Sequence, residues 1–143
     1  MSKHDVLLVD DEEDFVEVLA ERLEARGLRV ETACNGEAAL ARAEDKPFDA
    51  IILDLAMPGM NGIETLKRLR ATNPDLQIIL LTGHATVETS VEAMKLGAVD
   101  LLEKPADLAA LVKKIDQASA RKRELAQQRL DQQLSDILRR RGW

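Results

Sequence analysis

Asp10 and Asp11 directly follow the apolar run Val6-Leu7-Leu8-Val9, and Asp54 directly follows Ala50-Ile51-Ile52-Leu53. Short apolar runs of this kind read as strands buried on both faces, and parallel strands aim their C-terminal ends at one common edge. Three carboxylates then converge where open α/β sheets keep their active sites. Crowded carboxylates repel one another, and a hard divalent cation is the usual compensation. Thr82 and Lys104, at two later strand ends, join the same edge. Magnesium prefers oxygen ligands and keeps several waters, so two carboxylates and a backbone carbonyl suffice to hold it. In a cluster neutralised in that way, one carboxylate can attack an electrophilic phosphorus and form an acyl phosphate. The transferred group spreads its charge over equatorial oxygens, which the metal, a lysine ammonium and a hydroxyl would each meet separately.

The elements that must position these groups alternate along the chain. Apolar runs at 6–9, 29–33, 50–53, 78–81 and 98–102 predict strands. Helical spacing of Phe15, Val18, Leu19 and Leu23 predicts a helix over 13–26, stopped by Gly27. Asn35 is placed to cap a helix over 36–45, and Ile63, Leu66 and Leu69 stripe one over 62–72 that Asn73-Pro74 ends. Val87, Val91 and Met94 stripe 86–96, with Gly97 as the stop. Strand–helix alternation repeated five times predicts a parallel sheet with helices on both faces.

From Asp107 onward a helical pattern begins and no Gly or Pro interrupts 108–141. Leu108, Leu111, Val112, Ile115 and Ala118 suit packing on the sheet, and Leu125, Leu130, Leu134, Ile137 and Leu138 continue an apolar stripe beyond it. Such a helix would extend about 50 Å, past the body of one domain. The sequence therefore divides into a domain over 1–120 and an extension of the last helix over 121–143. Three fates for the extension are open: a frayed tail, a coiled coil or bundle with a second copy, or contact of Arg139-Arg140-Arg141 with an anionic surface.

Charge follows the same division. Residues 1–120 carry 13 Lys and Arg against 23 Asp and Glu, a net −10, whereas 121–143 carry 7 against 3, a net +4. Aromatics are 2% of the chain, so the core is aliphatic and Phe15 and Phe48 cannot build a base-stacking platform. The single cysteine, Cys34, excludes an internal disulfide and reads as a small residue near a strand end. No signal peptide and no apolar stretch of membrane-span length is visible, and a cytoplasmic location is expected.

Four segments, in order, resemble the receiver domains of bacterial two-component response regulators: Asp10-Asp11-Glu12, Asp54-Leu55-Ala56-Met57-Pro58-Gly59-Met60-Asn61-Gly62, Thr82-Gly83-His84, and Gly97 through Lys104-Pro105. The resemblance covers residues 4 to about 120. It implies a flavodoxin-like, doubly wound, five-stranded parallel sheet, (βα)5, here with an extended C-terminal helix. It implies that Asp54 is the phosphoacceptor and that Asp11, Asp54 and the Ala56 carbonyl bind Mg2+ directly, with Asp10 acting through water. Thr82 and Lys104 would hold the phosphoryl oxygens, and the Lys104-Pro105 bond would be cis, as proline alone readily permits. The implied donor is a sensor histidine kinase or phosphotransfer protein. The implied output is a changed contact with a downstream protein through the fourth helix, fifth strand and fifth helix, a surface that could also form a homodimer.

The sequence departs from the family in two places. Receivers usually carry Tyr or Phe three residues before the lysine, and that position is Leu101, so a rotating ring cannot report the switch. The positions two beyond the aspartate and the threonine hold Ala56 and His84, and slow self-dephosphorylation is the expected consequence of Ala56. His84 reads as an exposed loop residue and Met57-Pro58-Gly59-Met60 as a turn. Each key residue also has a plain reading: a lone Asp caps a helix, Thr82 caps a turn, Lys104 is solvated. A Mg-dependent aspartyl-phosphate phosphohydrolase is an alternative, but it would want a second acid where Ala56 stands. A non-phosphorylated dimerisation scaffold is another, and it would not need the acid set. On the leading reading the chemistry is self-directed and the protein is not an enzyme in the turnover sense. No helix-turn-helix follows, so direct DNA binding is not expected.

Overall fold

The computed structural model describes residues 4–55, 61–83, 86–105 and 107–142. Five strands, β1 (Asp5–Val9), β2 (Arg29–Ala33), β3 (Ala50–Leu53), β4 (Ile78–Thr82) and β5 (Asp100–Glu103), alternate with five helices. The helices are α1 (Glu13–Ala25), α2 (Gly36–Asp45), α3 (Gly62–Thr72), α4 (Val87–Lys95) and α5 (Leu108–Arg140). The sheet is wholly parallel in the order β2-β1-β3-β4-β5. This is the doubly wound (βα)5 arrangement that the alternation predicts. Among the described residues no helix is long and apolar enough to cross a membrane.

Alternation along the central strands divides the core in two. Leu7, Val9, Ile51, Leu53, Ile78 and Leu80 face Ala39 of α2, Leu66 and Leu69 of α3, and Ala93 of α4. Val6, Leu8, Ala50, Ile52, Ile79 and Leu81 face Val16, Leu19 and Leu23 of α1 and Leu111, Ile115 and Ala118 of α5. Strands that bury both pleats must be apolar at every position, and this is why they read as unbroken runs.

The local stops work as their chemistry dictates. The Asn35 side chain accepts from the Ala38 N–H and the Asn61 side chain from the Glu64 N–H, capping α2 and α3. Gly27 and Gly97 take positive φ, +90° and +105°, where a side chain would be strained. β5 begins two residues later than the apolar run 98–102 predicts. Ala98 is spent closing α4, its N–H bonded to the Ala93 carbonyl, and the strand instead runs on to Glu103. That shift places Lys104 directly beyond the strand end.

α5 is continuous for 33 residues. Its buried side chains are Leu111, Ile115, Ala118 and Ser119, and Leu130, Leu134 and Ile137 stand exposed. The helix is tied to the N-terminal end of the sheet by polar contacts. Ser119 Oγ lies 3.1 Å from His4 Nδ1, Lys122 Nζ donates to the Phe48 carbonyl at 3.0 Å, and Arg129 pairs with Asp75.

Candidate functional site

The site sits at the C-terminal edge of the sheet, where β1, β3, β4 and β5 end side by side. The Asp54 N–H donates to the Val9 carbonyl at 3.0 Å, and the Lys104 N–H donates to the Thr82 carbonyl at 3.0 Å. Parallel pairing thus sets the relative heights of Asp10, Asp54, Thr82 and Lys104. Asp10, Asp54 and Thr82 are buried, at 3%, 4% and 0% exposure. Polar groups this deep in a sheet of Val, Leu and Ile need partners, because burial penalises unmatched charge.

Lys104 supplies much of that matching. Its Nζ lies 2.6 Å from Asp10 Oδ2, 3.3 Å from Glu12 Oε1 and 3.6 Å from Asp54 Oδ2. The other oxygen of Asp10 accepts the Glu12 N–H at 3.0 Å. Asp10 therefore does both things its type allows: it holds the turn into α1 and it faces the lysine. Burial pushes the Asp10 carboxyl above the usual carboxylate range, Lys104 and the Glu12 N–H pull against that, and the neighbouring Asp54 charge adds to it. Burial works against the charged form of Lys104, yet the bond to Asp10 and the charges of Asp10 and Asp54 hold its ammonium above the ordinary lysine value.

One ammonium faces three carboxylates. Ligand oxygens of Asp10, Glu12 and Asp54 all lie within 4.8 Å of one another. This all-oxygen, negatively charged, largely buried set fits a hard divalent cation such as Mg2+. Glu12 belongs to the cluster although sequence reasoning passed over it, and the signal was its position directly after the aspartate pair. Asp11 is exposed and stands outside this group. Ala56, His84 and the Met57–Met60 turn lie outside the described residues. Leu101 is half-buried and packs against the core on the α3 and α4 side. The Lys104-Pro105 bond is cis, as the resemblance implies.

Two further residues shape the site. Gly62 donates its N–H to the Leu55 carbonyl at 3.0 Å. A Cβ there would fall 2.3 Å from Leu55 Cα and 2.5 Å from the Asp54 carbonyl oxygen. Only glycine lets α3 start so close to the aspartate. Phe15, on the first turn of α1, lies with its ring centroid 4.2 Å from Lys104 Nζ.

Residues 6–116 match the response regulator receiver domain family. The transcriptional regulatory protein ZraR of Salmonella typhimurium is 41% identical over 122 residues, covering 85% of this chain. The chain spans only 28% of that relative's length. Among solved structures, a CheY-like response regulator receiver domain protein from Methanospirillum hungatei JF-1 superposes with a TM-score of 0.81 at 29% identity, covering 86% of this chain and 98% of that one. NtrX from Brucella abortus superposes with a TM-score of 0.78 at 29% identity, covering 95% of this chain and 30% of that one.

Proposed function

The chain belongs to the response regulator receiver domain family, whose function is phosphoryl acceptance in two-component signalling, and we propose that the acceptor here is Asp54. The observation that carries this reading is the buried Asp54 carboxylate, 3.6 Å from the Lys104 ammonium and gathered with Asp10 and Glu12. Asp10, Glu12 and Asp54 would hold Mg2+, with Asp11 and the Ala56 carbonyl as further ligands implied by the family resemblance. Bound there, Mg2+ supplies charge neutralisation at the transferred oxygens.

The remaining work falls to the chain's own side chains. Asp54 Oδ is the nucleophile towards phosphorus, and the N–H to Val9 and the close approach of Gly62 fix the backbone from which it acts. The Lys104 ammonium stands where it can pair with a phosphoryl oxygen. The Thr82 hydroxyl, at the end of the adjacent strand, offers a hydrogen bond to another. Covalent addition brings about −1.5 to −2 charge to a site already rich in carboxylates, which is the bias that a two-state switch requires. The donor is a phosphohistidine on a sensor kinase or phosphotransfer protein.

The output is a change in protein contacts. Two surfaces support it: the face of α4 with exposed Val87, Val91 and Met94 beside β5, and the distal stripe of α5 with Leu130, Leu134 and Ile137. The distal stripe suits a second copy of the same helix, because Leu130, Leu134 and Ile137 recur at coiled-coil spacing. The chain spans about a quarter to a third of the length of its ZraR and NtrX relatives.

Acetyl phosphate with Mg2+ tests the acceptor. Asp54→Asn abolishes covalent labelling while wild type is labelled, and labelling that survives the substitution moves the acceptor elsewhere. Light-scattering mass of the full chain with and without Mg2+ and beryllofluoride tests self-association, and a monomer in both conditions removes the second-copy reading.

A further inference from the structure

We infer that Phe15 is a positioning residue for Lys104, holding the ammonium at the mouth of the acceptor site when its carboxylate partners are engaged elsewhere. This deepens the receiver reading of the same site and rests on it.

Among the described residues the ammonium meets Asp10 at 2.6 Å, Glu12 at 3.3 Å, Asp54 at 3.6 Å and the Phe15 ring centroid at 4.2 Å. The first three are anionic oxygens, and they belong to the same three carboxylates that gather into the candidate cation cluster. Carboxylate oxygens committed to a divalent cation are lost to Lys104, and the cation's charge then repels the ammonium. A ring face does not compete in this way. Its quadrupole attracts a cation without supplying a ligand atom that Mg2+ would prefer.

The ring is itself held. Phe15 packs at the border of the core cluster formed by α1, α5 and the strands. With Val18, Leu19, Leu81, Pro105, Leu108 and the basic Arg22 it lines a cleft of about 190 Å³ beside the site. The side chain is therefore backed by the core cluster while the ring meets the ammonium. Pro105, the residue after the lysine, lines the same cleft. The assignment also fits the residue economy of the chain. The position three before the lysine is Leu101, and the aromatic side chain of this site is contributed by α1 instead.

The test has two readouts, the first needing neither metal nor phosphoryl mimic. In the metal-free full chain, the ring current of Phe15 shifts the Lys104 ε-methylene protons upfield, and Phe15→Leu returns them to the ordinary lysine position. An unshifted lysine in wild type overturns the inference. The second readout is titration with beryllofluoride at saturating Mg2+, followed by amide shifts. Loss of a partly desolvated cation–π contact weakens half-saturation about 3- to 10-fold in Phe15→Leu. Phe15→Trp restores it, and Mg2+ affinity without beryllofluoride changes less than about twofold. Equal weakening of Mg2+ and beryllofluoride, or no weakening of either, overturns the inference.

Should Phe15→Leu unfold, 3,4,5-trifluorophenylalanine at position 15 keeps the shape and withdraws the π density. It is expected to weaken beryllofluoride binding in the same direction, and wild-type affinity in that variant overturns the inference. Wild type that ignores beryllofluoride altogether overturns the receiver reading and this inference with it. Wild type that responds while both Phe15 variants match it overturns the inference alone.

Discussion

Strand β1 carries an aspartate at each end, and the two are pushed in opposite directions. Asp5, at the N-terminal edge, bonds Arg29 through both carboxylate oxygens, at 2.8 and 2.9 Å, and also meets Lys46 at 3.3 Å. The Arg29 bond, opposed by burial and aided by Lys46, lowers its carboxyl to about 2. Asp10, just past the C-terminal end, shares one ammonium with Glu12 and Asp54, and burial leaves its carboxyl raised. The N-terminal edge matches acids with bases and serves the fold. The C-terminal edge is left short of positive charge, and a site that must attract a cation and then a phosphoryl group needs that shortage.

The sharpest way to break the comparison is to deepen the shortage. Lys104→Ala removes the ammonium from Asp10 and is expected to cost about 2–4 kcal/mol in EDTA, since breaking a buried pair strands a charge. Millimolar Mg2+ should return most of that loss, as urea melts with and without the metal will show. Wild type itself should gain about 1–3 kcal/mol from Mg2+ by linkage. Asp5→Asn should show the same gain, and a smaller gain in Asp5→Asn would mean the two edges are not independent.

A matched pair of substitutions sharpens the contrast. In EDTA, Asp54→Asn should stabilise the fold by about 1 kcal/mol by relieving carboxylate repulsion. Asp5→Asn should destabilise by about 1 kcal/mol, a figure reduced from the pKa shift because the Arg29 and Lys46 partners are largely exposed. Equal signs in the two melts would erase the distinction drawn here. The smallest effect is in pH. The Asp5 carboxyl is lowered on folding, so its stabilisation is present above its unfolded value of 3.8 and is lost as pH falls towards about 2. Stability of Asp5→Asn should therefore fall less steeply than wild type between about pH 4 and 2.

Most of the site was legible in the sequence because strand ends are legible. Unbroken apolar runs locate β1, β3 and β4, and each is followed by a polar residue whose side chain belongs to the edge. β5 was harder, since Ala98 and Val99 are as apolar as a strand but Ala98 is used to close α4. Glu12 and Phe15 were missed for a different reason. Both enter the site from the start of α1, and periodicity assigns Phe15 to a core stripe without saying which way its ring faces. The contact of Gly62 with the Asp54 carbonyl is likewise a matter of closeness between two segments, which no pattern along one chain records. The length of α5 was readable from the absence of Gly and Pro, whereas its fastening by Lys122 and Arg129 was not.

The geometry of α5 makes it a lever. Its fulcrum is Arg129, the last residue of the helix bonded back to the domain, at Asp75, and from there to Arg140 a stiff arm of about 16 Å projects. Along an arm of that length a tilt of about 4° at the fulcrum displaces the tip by about 1 Å. Leu134 and Ile137 lie on this arm, so a change of angle at the domain is read there as a translation of an apolar surface.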